Sequence, residues 1–152
     1  MEDFLILTCG WLGVYAPMAF AAIGSMVGVS WAGQAAIGAL LDTDGGHGRL
    51  IGIAAMPSSQ TVYGLVVMMA LNRPVTVDNA PGLFAVGLLA GIAQMISAIY
   101  QGSCCAAAIN AAKHKPDIFG IAIAPAAIVE GFAVFAFAFA FLLSAAIPGA
   151  TR

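Results

Sequence analysis

Apolar residues gather along this chain into four long runs with short polar breaks between them. The first run carries no charge from Phe4 to Leu41 and is softened only by Thr8, Ser25, Ser30 and Gln34. Glycines and charges end it at Asp42-Thr-Asp-Gly-Gly-His-Gly-Arg49. The second run, Leu50 to Leu71, contains Met56-Pro-Ser-Ser-Gln60 and is closed by Asn72-Arg-Pro-Val-Thr-Val-Asp78. The third, Ala80 to Ala112, carries Gln94 and Gln101; after Lys113-His-Lys-Pro-Asp117 the fourth continues to the C-terminus. About 20 apolar residues span a bilayer as a helix, so each run is long enough to cross. Phe135-Ala-Phe-Ala-Phe-Ala-Phe141 alternates as a strand would. An isolated strand in lipid leaves its backbone unpaired, so helix is expected there too.

Composition agrees with a lipid environment. Of 152 residues 62% are hydrophobic and 8% charged, and the mean hydropathy is +1.00; a soluble domain is about 25% charged. A net charge of −2 gives no reason to invoke nucleic acid. The chain opens on the acidic Met1-Glu2-Asp3, and the run that follows is longer than a signal-peptide core, so the first helix is expected to serve as the insertion signal. Cys9, Cys104 and Cys105 all lie in apolar runs, where they read as small packing residues. The expected fold is an all-α integral membrane domain over residues 1–152, with four transmembrane helices. Four spans put both termini on one side and loops 42–49 and 113–117 on the other. Arg49, Lys113 and Lys115 against Arg73 and Arg152 place the two hairpin loops in the cytoplasm. His47 and His114, one in each loop, read as solvated.

The chain also repeats itself. A shift of 69 brings Ile23, Met26, Gly33 and Ala39 onto Ile92, Met95, Gly102 and Ala108; a shift of 68 brings Gly52-Ile-Ala-Ala-Met-Pro57 onto Gly120-Ile-Ala-Ile-Ala-Pro125. This describes two tandem hairpins, 1–75 and 76–152. The first and third runs are dense in small residues at three- and four-residue spacing (Gly10, Gly13, Gly24, Gly28; Gly87, Gly91, Ala98, Gly102), which lets backbones approach where lipid gives no hydrophobic drive. Phe132, Phe135, Phe137, Phe139 and Phe141 suit a lipid-facing surface. Narrow helices inside and bulky ones outside fit a ring of many copies; composition alone fits a compact four-helix bundle as well.

Glu130 is the one ionisable residue between Ile118 and Ala150. An ionisable group at mid-bilayer costs about 2.5–3.5 kcal/mol on insertion scales, which makes it a candidate functional site. In the repeat its counterpart is Val62, and that of Gln94 is Ser25, so one hairpin alone carries the carboxylate. Ser59 and Tyr63 share a helical face with Gln60 beside them, and Pro57 removes a donor from the carbonyl of Ile53. Gln94 is the most central polar side chain of the third run. Carboxylate, amide and hydroxyl oxygens are hard ligands, so Glu130, Gln60, Gln94 and Ser59 can enclose a small monovalent cation, with Tyr63 bonded to the carboxylate. The alternative for the glutamines is plain interhelical hydrogen bonding, and Gln101, Ser58 and Ser97 are read that way. A small secondary transporter or antiporter with Glu130 as its proton or substrate site, and a purely structural subunit, are rival readings.

These residues resemble the duplicated four-helix proteolipid of prokaryotic V-type (A/V-type) ATPases, whose copies form the membrane rotor ring. Met56-Pro-Ser-Ser-Gln-Thr-Val-Tyr-Gly64, Gly91-Ile-Ala-Gln94 and Ala127-Ile-Val-Glu130 carry the resemblance, which covers nearly the whole chain. It implies a non-catalytic, ion-translocating subunit of a bacterial or archaeal plasma membrane. By resemblance to the sodium-translocating members, the ligands are Glu130, Gln60, Gln94, Ser59 and the carbonyl of Met56, with Tyr63 locking the carboxylate. The cargo is then Na⁺, with H⁺ as the alternative. Ser59 stands where the family has threonine, and Gly131-Phe132 where it often has Thr-Tyr. Implied partners are identical subunits, a stator subunit supplying an arginine, a central stalk at loops 42–49 and 113–117, and lipid.

Overall fold

The computed structural model describes residues 1–149, so Arg152, counted in the charge comparison, lies outside the described residues. The four apolar runs are helical. Helix α1 is Glu2–Leu40; α2 (His47–Ala55), a 3-10 turn (Met56–Ser58) and α3 (Ser59–Leu71) form the second span; α4 is Ala80–His114; a 3-10 turn (Pro116–Ile118), α5 (Phe119–Ala122) and α6 (Ala124–Ser144) form the fourth. All four spans are long and apolar enough to cross a membrane. The alternating phenylalanine stretch lies within α6, as the need to satisfy the backbone in lipid requires.

The second and fourth spans are each broken at corresponding places of the repeat, near Pro57 and Pro125. The carbonyl of Ile53, expected to be orphaned by Pro57, is not. The helix tightens to 3-10 geometry there, and Met56 N–H donates to it instead.

α1 and α4 run parallel and form the tightest contact in the molecule. A Cβ on Gly87 would strike the carbonyl of Gly13, and one on Gly102 would strike the backbone of Gly28; Gly24 lies against the backbone of Met95 and Gly91 against that of Ala16. Pro17, four residues on from Gly13, cannot donate to that carbonyl, so the Gly13 oxygen is unencumbered where Gly87 meets it. This is small-residue packing of the kind that holds helices together in lipid. The other two spans pack outside this pair. Gly64 of α3 rests on the carbonyl of Pro17, and α6 lies antiparallel against α4.

Two apolar clusters fill the interior. One, toward the hairpin loops, includes Ala36, Leu50, Ile53, Cys105 and Ile109; the other, toward the termini, includes Val14, Val67, Leu71, Leu83 and Ile147. Between them lies a belt of buried polar side chains, Gln60, Gln94, Ser97 and Gln101. Of the aromatic residues of α6, Phe132, Phe135, Phe139 and Phe141 are exposed. Phe137 departs from the expected lipid-facing set: it packs against the cluster toward the termini, with its ring 5.5 Å from that of Tyr63.

The two hairpin loops meet at one end of the bundle, where Lys113 Nζ donates to Asp42 Oδ2 at 2.8 Å and the Arg49 guanidinium lies 4.6 Å over the Phe119 ring. Gly46, at φ 74°, starts α2 in the left-handed conformation that glycine adopts freely. At the opposite end Asn79 Nδ2 donates to the carbonyls of Pro74 and Pro148, tying the central loop to the segment after α6.

Gly87→Val should clash with the Gly13 carbonyl and destabilise the helix pair by about 3 kcal/mol or abolish folding. Gly48→Ala, whose added Cβ meets nothing, should be tolerated; thermal unfolding in detergent followed by circular dichroism separates the two. The Asp42–Lys113 pair gives a pH test. The Lys113 hydrogen bond and charge hold the Asp42 carboxyl below its usual range. A depressed carboxylate contributes stability above its unfolded pKa and loses it as pH falls through the folded value. Lys113→Met should therefore melt slightly lower than the native chain at pH 7 in low salt. The difference should vanish in acid below the carboxylate range, and in high salt.

Candidate ion-binding site

Glu130 is the middle residue of the fourth span, Pro116–Ser144, and it is half-buried. Two other helices supply its partners. Tyr63 Oη of α3 donates to Oε1 at 3.1 Å, and Gln101 Nε2 of α4 donates to Oε2 at 3.1 Å and to the carbonyl of Ala126 at 3.3 Å. Each carboxylate oxygen therefore has a donor, and hydrogen bonds to a charged group are among the stronger ones.

The network continues inward. Gln60 Nε2 donates to Gln101 Oε1 at 2.8 Å and to Ser97 Oγ at 3.4 Å, and Ser97 Oγ donates to the carbonyl of Val129 at 3.1 Å. Ser59 Oγ lies 3.1 Å from the carbonyl of Met56 and 3.3 Å from Gln60 Oε1. A hydroxyl has one proton to give, so it donates to one of these at a time. The 3-10 turn at Pro57 sets this arrangement up: it turns the Met56 carbonyl toward both the backbone N–H and the hydroxyl of Ser59.

Of the residues singled out from sequence, Glu130 and Tyr63 are in direct contact, and Gln60, Ser59 and the Met56 carbonyl join them through Gln101. Gln94 does not join them. Its Nε2 donates to the carbonyl of Ala133 at 2.9 Å, one turn beyond Glu130, and its Oε1 has no partner among the described residues. Gln101, read from sequence as an ordinary interhelical bond, occupies the place beside the carboxylate instead. Ser97 does bond between helices, whereas Ser58 bonds the carbonyl of Ala55 on its own span.

The physical reason is register. α4 and α6 are antiparallel around the turn at Lys115 and Pro116. Fourteen residues back from Lys115 is Gln101, and fourteen forward from Pro116 is Glu130. Gln94 lies two turns away on nearly the same face, which is why centrality in the run was a poor guide to depth. Counting outward from the hairpin turn was the signal that finds Gln101.

Chemically, five groups in this network carry an acceptor oxygen: the Glu130 carboxylate, the Gln60 and Gln101 amides, the Ser59 hydroxyl and the Met56 carbonyl. In this arrangement Gln101 presents N–H to the carboxylate. A half-turn of its amide exchanges that donor for an oxygen, and a matching turn of Gln60 preserves the bond between the two amides. The same side chains can thus serve a bare carboxylate or a hard cation.

These features define a duplicated-hairpin membrane protein built around one mid-membrane carboxylate. The family model for the C subunit of ATP synthase matches twice, over residues 12–71 and 84–143, and the chain belongs to that family. Among curated relatives, the A-type ATP synthase subunit K of Methanocaldococcus jannaschii is 31% identical over 143 residues, covering 94% of this chain and 64% of that protein. The V-type sodium ATPase subunit K of Enterococcus hirae is 31% identical over 153 residues, covering 94% of this chain and 97% of that protein. The chain thus spans a little under two thirds of the length of the first relative and nearly all of the second.

Replacing the two glutamines by methionine, which is of similar length, tests the assignment of roles. Gln101→Met removes three hydrogen bonds, leaves Glu130 Oε2 without a partner and leaves Gln60 Nε2 only its longer bond to Ser97, a cost of about 2–3 kcal/mol. Gln94→Met removes one bond and an unpartnered oxygen, and should stay within about 1 kcal/mol of the native protein. Unfolding in detergent measures both; a larger loss for Gln94→Met reverses the assignment.

Proposed function

We propose that this chain is the rotor-ring subunit of a V/A-type rotary ATPase and carries Na⁺ through the membrane on Glu130. The observation that carries the reading is the carboxylate at the middle of its span, held by Tyr63 and Gln101 and adjoined by the oxygens of Gln60, Ser59 and Met56. The relationship to a sodium ATPase supports the cation. The family assignment also favours this reading over an antiporter.

In this mechanism the carboxylate is the carrier and the subunit performs no bond-breaking chemistry. An ionised carboxylate facing lipid is costly; a bound cation neutralises it and lets the ring turn. Gln60, Gln101, Ser59 and the Met56 carbonyl replace the water shell of the ion, and Gln101 takes the ligand place that sequence reading gave to Gln94. Tyr63 holds the carboxylate toward the other ligands. An arginine of the stator competes for the carboxylate, releases the ion into an aqueous half-channel, and a second half-channel reloads the next copy. Identical copies form the ring. Loops 42–49 and 113–117 face the cytoplasm and meet the central stalk, through which ATP hydrolysis in a soluble head turns the ring in a bacterial or archaeal plasma membrane. Because Val62 stands where a second carboxylate would be, each four-helix copy carries one ion.

Carbodiimide labelling tests the cargo, since the reagent attacks a protonated carboxyl group. Millimolar Na⁺ at neutral pH should slow labelling of Glu130 at least tenfold, while K⁺ at the same ionic strength should not. Protection by raised pH alone identifies the cargo as H⁺. Glu130→Gln should give an assembled ring that transports nothing, and residual transport in that variant removes the carrier role.

A further inference from the structure

Arg73 is a cation in an unusual position. It lies where the second span ends and is only 8% exposed. Its Nη1 donates to the carbonyl of Ile147 at 2.9 Å and its Nη2 to that of Ala70 at 2.6 Å. Ala70 belongs to the last turn of α3, so its carbonyl brings the partial negative charge of a helix C-terminus, and Ile147 lies three residues beyond the end of α6. That accounts for two of the five N–H donors of a guanidinium. Three remain, and so does the formal charge: among the described residues the one ion pair is Asp42–Lys113, at the opposite end of the bundle.

The guanidinium borders a cavity of about 240 Å³ between the second and fourth spans, lined also by Asn72, Ser144 and Ala145 and by the exposed apolar side chains of Met69 and Phe141. No carboxylate of the described residues lines it. Buried charges are normally paired, and here the described residues supply an oriented cation and an adjoining polar space without an anion. The clamp between the central loop and the segment after α6 does not require that space, since Asn79 makes the same connection through the Pro148 carbonyl.

Depth decides the class of anion. Tyr63, in contact with Glu130 at mid-span, is ten residues before Arg73. At a rise of 1.5 Å per residue this is about 15 Å, half of a hydrocarbon core of about 30 Å. The guanidinium therefore lies at the boundary between acyl chains and headgroups. Met69 and Phe141 offer apolar surface beside it. A planar guanidinium matches two phosphate oxygens at once, and basic pockets between transmembrane helices are suited to lipid headgroups.

We propose that Arg73 and the cavity between the second and fourth spans bind a phosphate group, supplied by the headgroup of a membrane phospholipid. One lipid per copy of the chain then covers the end of the groove between these spans, with Arg73 Nε and the remaining Nη protons donating to the phosphate.

Native mass spectrometry of the purified, full-length protein, relipidated with phosphatidylglycerol or with phosphate-free diacylglycerol, tests this. The native chain should retain about one phosphatidylglycerol per copy beyond any held elsewhere, and no diacylglycerol at that site. Arg73→Gln should lower retention at least tenfold. Ala145→Leu, which leaves Arg73 in place and fills the cavity from an exposed position, should do the same with unchanged helical content, so the test survives if Arg73→Gln does not fold. Equal phosphatidylglycerol retention by the native chain and Ala145→Leu overturns the site. Inorganic phosphate at millimolar concentration should not displace the lipid; if it binds at Arg73 while phosphatidylglycerol does not, the lipid source is overturned.

Discussion

Glu130 sits at the middle of a membrane-length apolar span, away from the polar loops at either end, and that constraint orders much of this molecule. A carboxylate at the centre of a span must find its hydrogen-bond partners within the protein. Here they come from two other helices, Tyr63 on α3 and Gln101 on α4. Each partner is fixed in turn: Tyr63 by the ring of Phe137, and Gln101 by Gln60 and the Ala126 carbonyl. The polar belt divides the apolar interior into two clusters, and both breaks in helix regularity fall on the loop side of this belt, within about two turns of it.

Holding three helices at one depth requires a scaffold that does not slide. The contact between α1 and α4 supplies it. Glycines meeting backbone carbonyls leave no room for a shift in register, because any other residue placed opposite would bring a Cβ into the partner's main chain. The loops fix the far ends, by the Asp42–Lys113 pair on one side and by Arg73 and Asn79 on the other. Fold and site are thus separate in substance: small residues set the frame, and a few amides and hydroxyls furnish it.

Much of this was legible in the sequence because its causes are local or periodic. Run length gave the four spans, small-residue spacing gave the inner pair, and the repeat showed that Glu130 has no twin. What escaped was tertiary. Gln94 and Gln101 lie on nearly the same face of one helix, and only the antiparallel register against α6 tells which is level with Glu130. The Ile53 carbonyl was rescued by a local tightening of the helix that residue identities do not specify. Phe137 turned inward because Tyr63 was there to receive it, and Arg73 found its acceptor at Ile147, 74 residues away in the chain.

The parallel pairing of α1 with α4, set against the opposite sense of the other two spans, has an electrical consequence. Each helix carries a dipole equivalent to about half an elementary charge at either end. Two spans point one way across the bilayer and two the other, so these dipoles largely offset one another. A membrane voltage, worth about 2.3 kcal/mol per charge per 100 mV, then finds little purchase on the scaffold as a whole. It acts on Glu130 and on whatever that carboxylate holds.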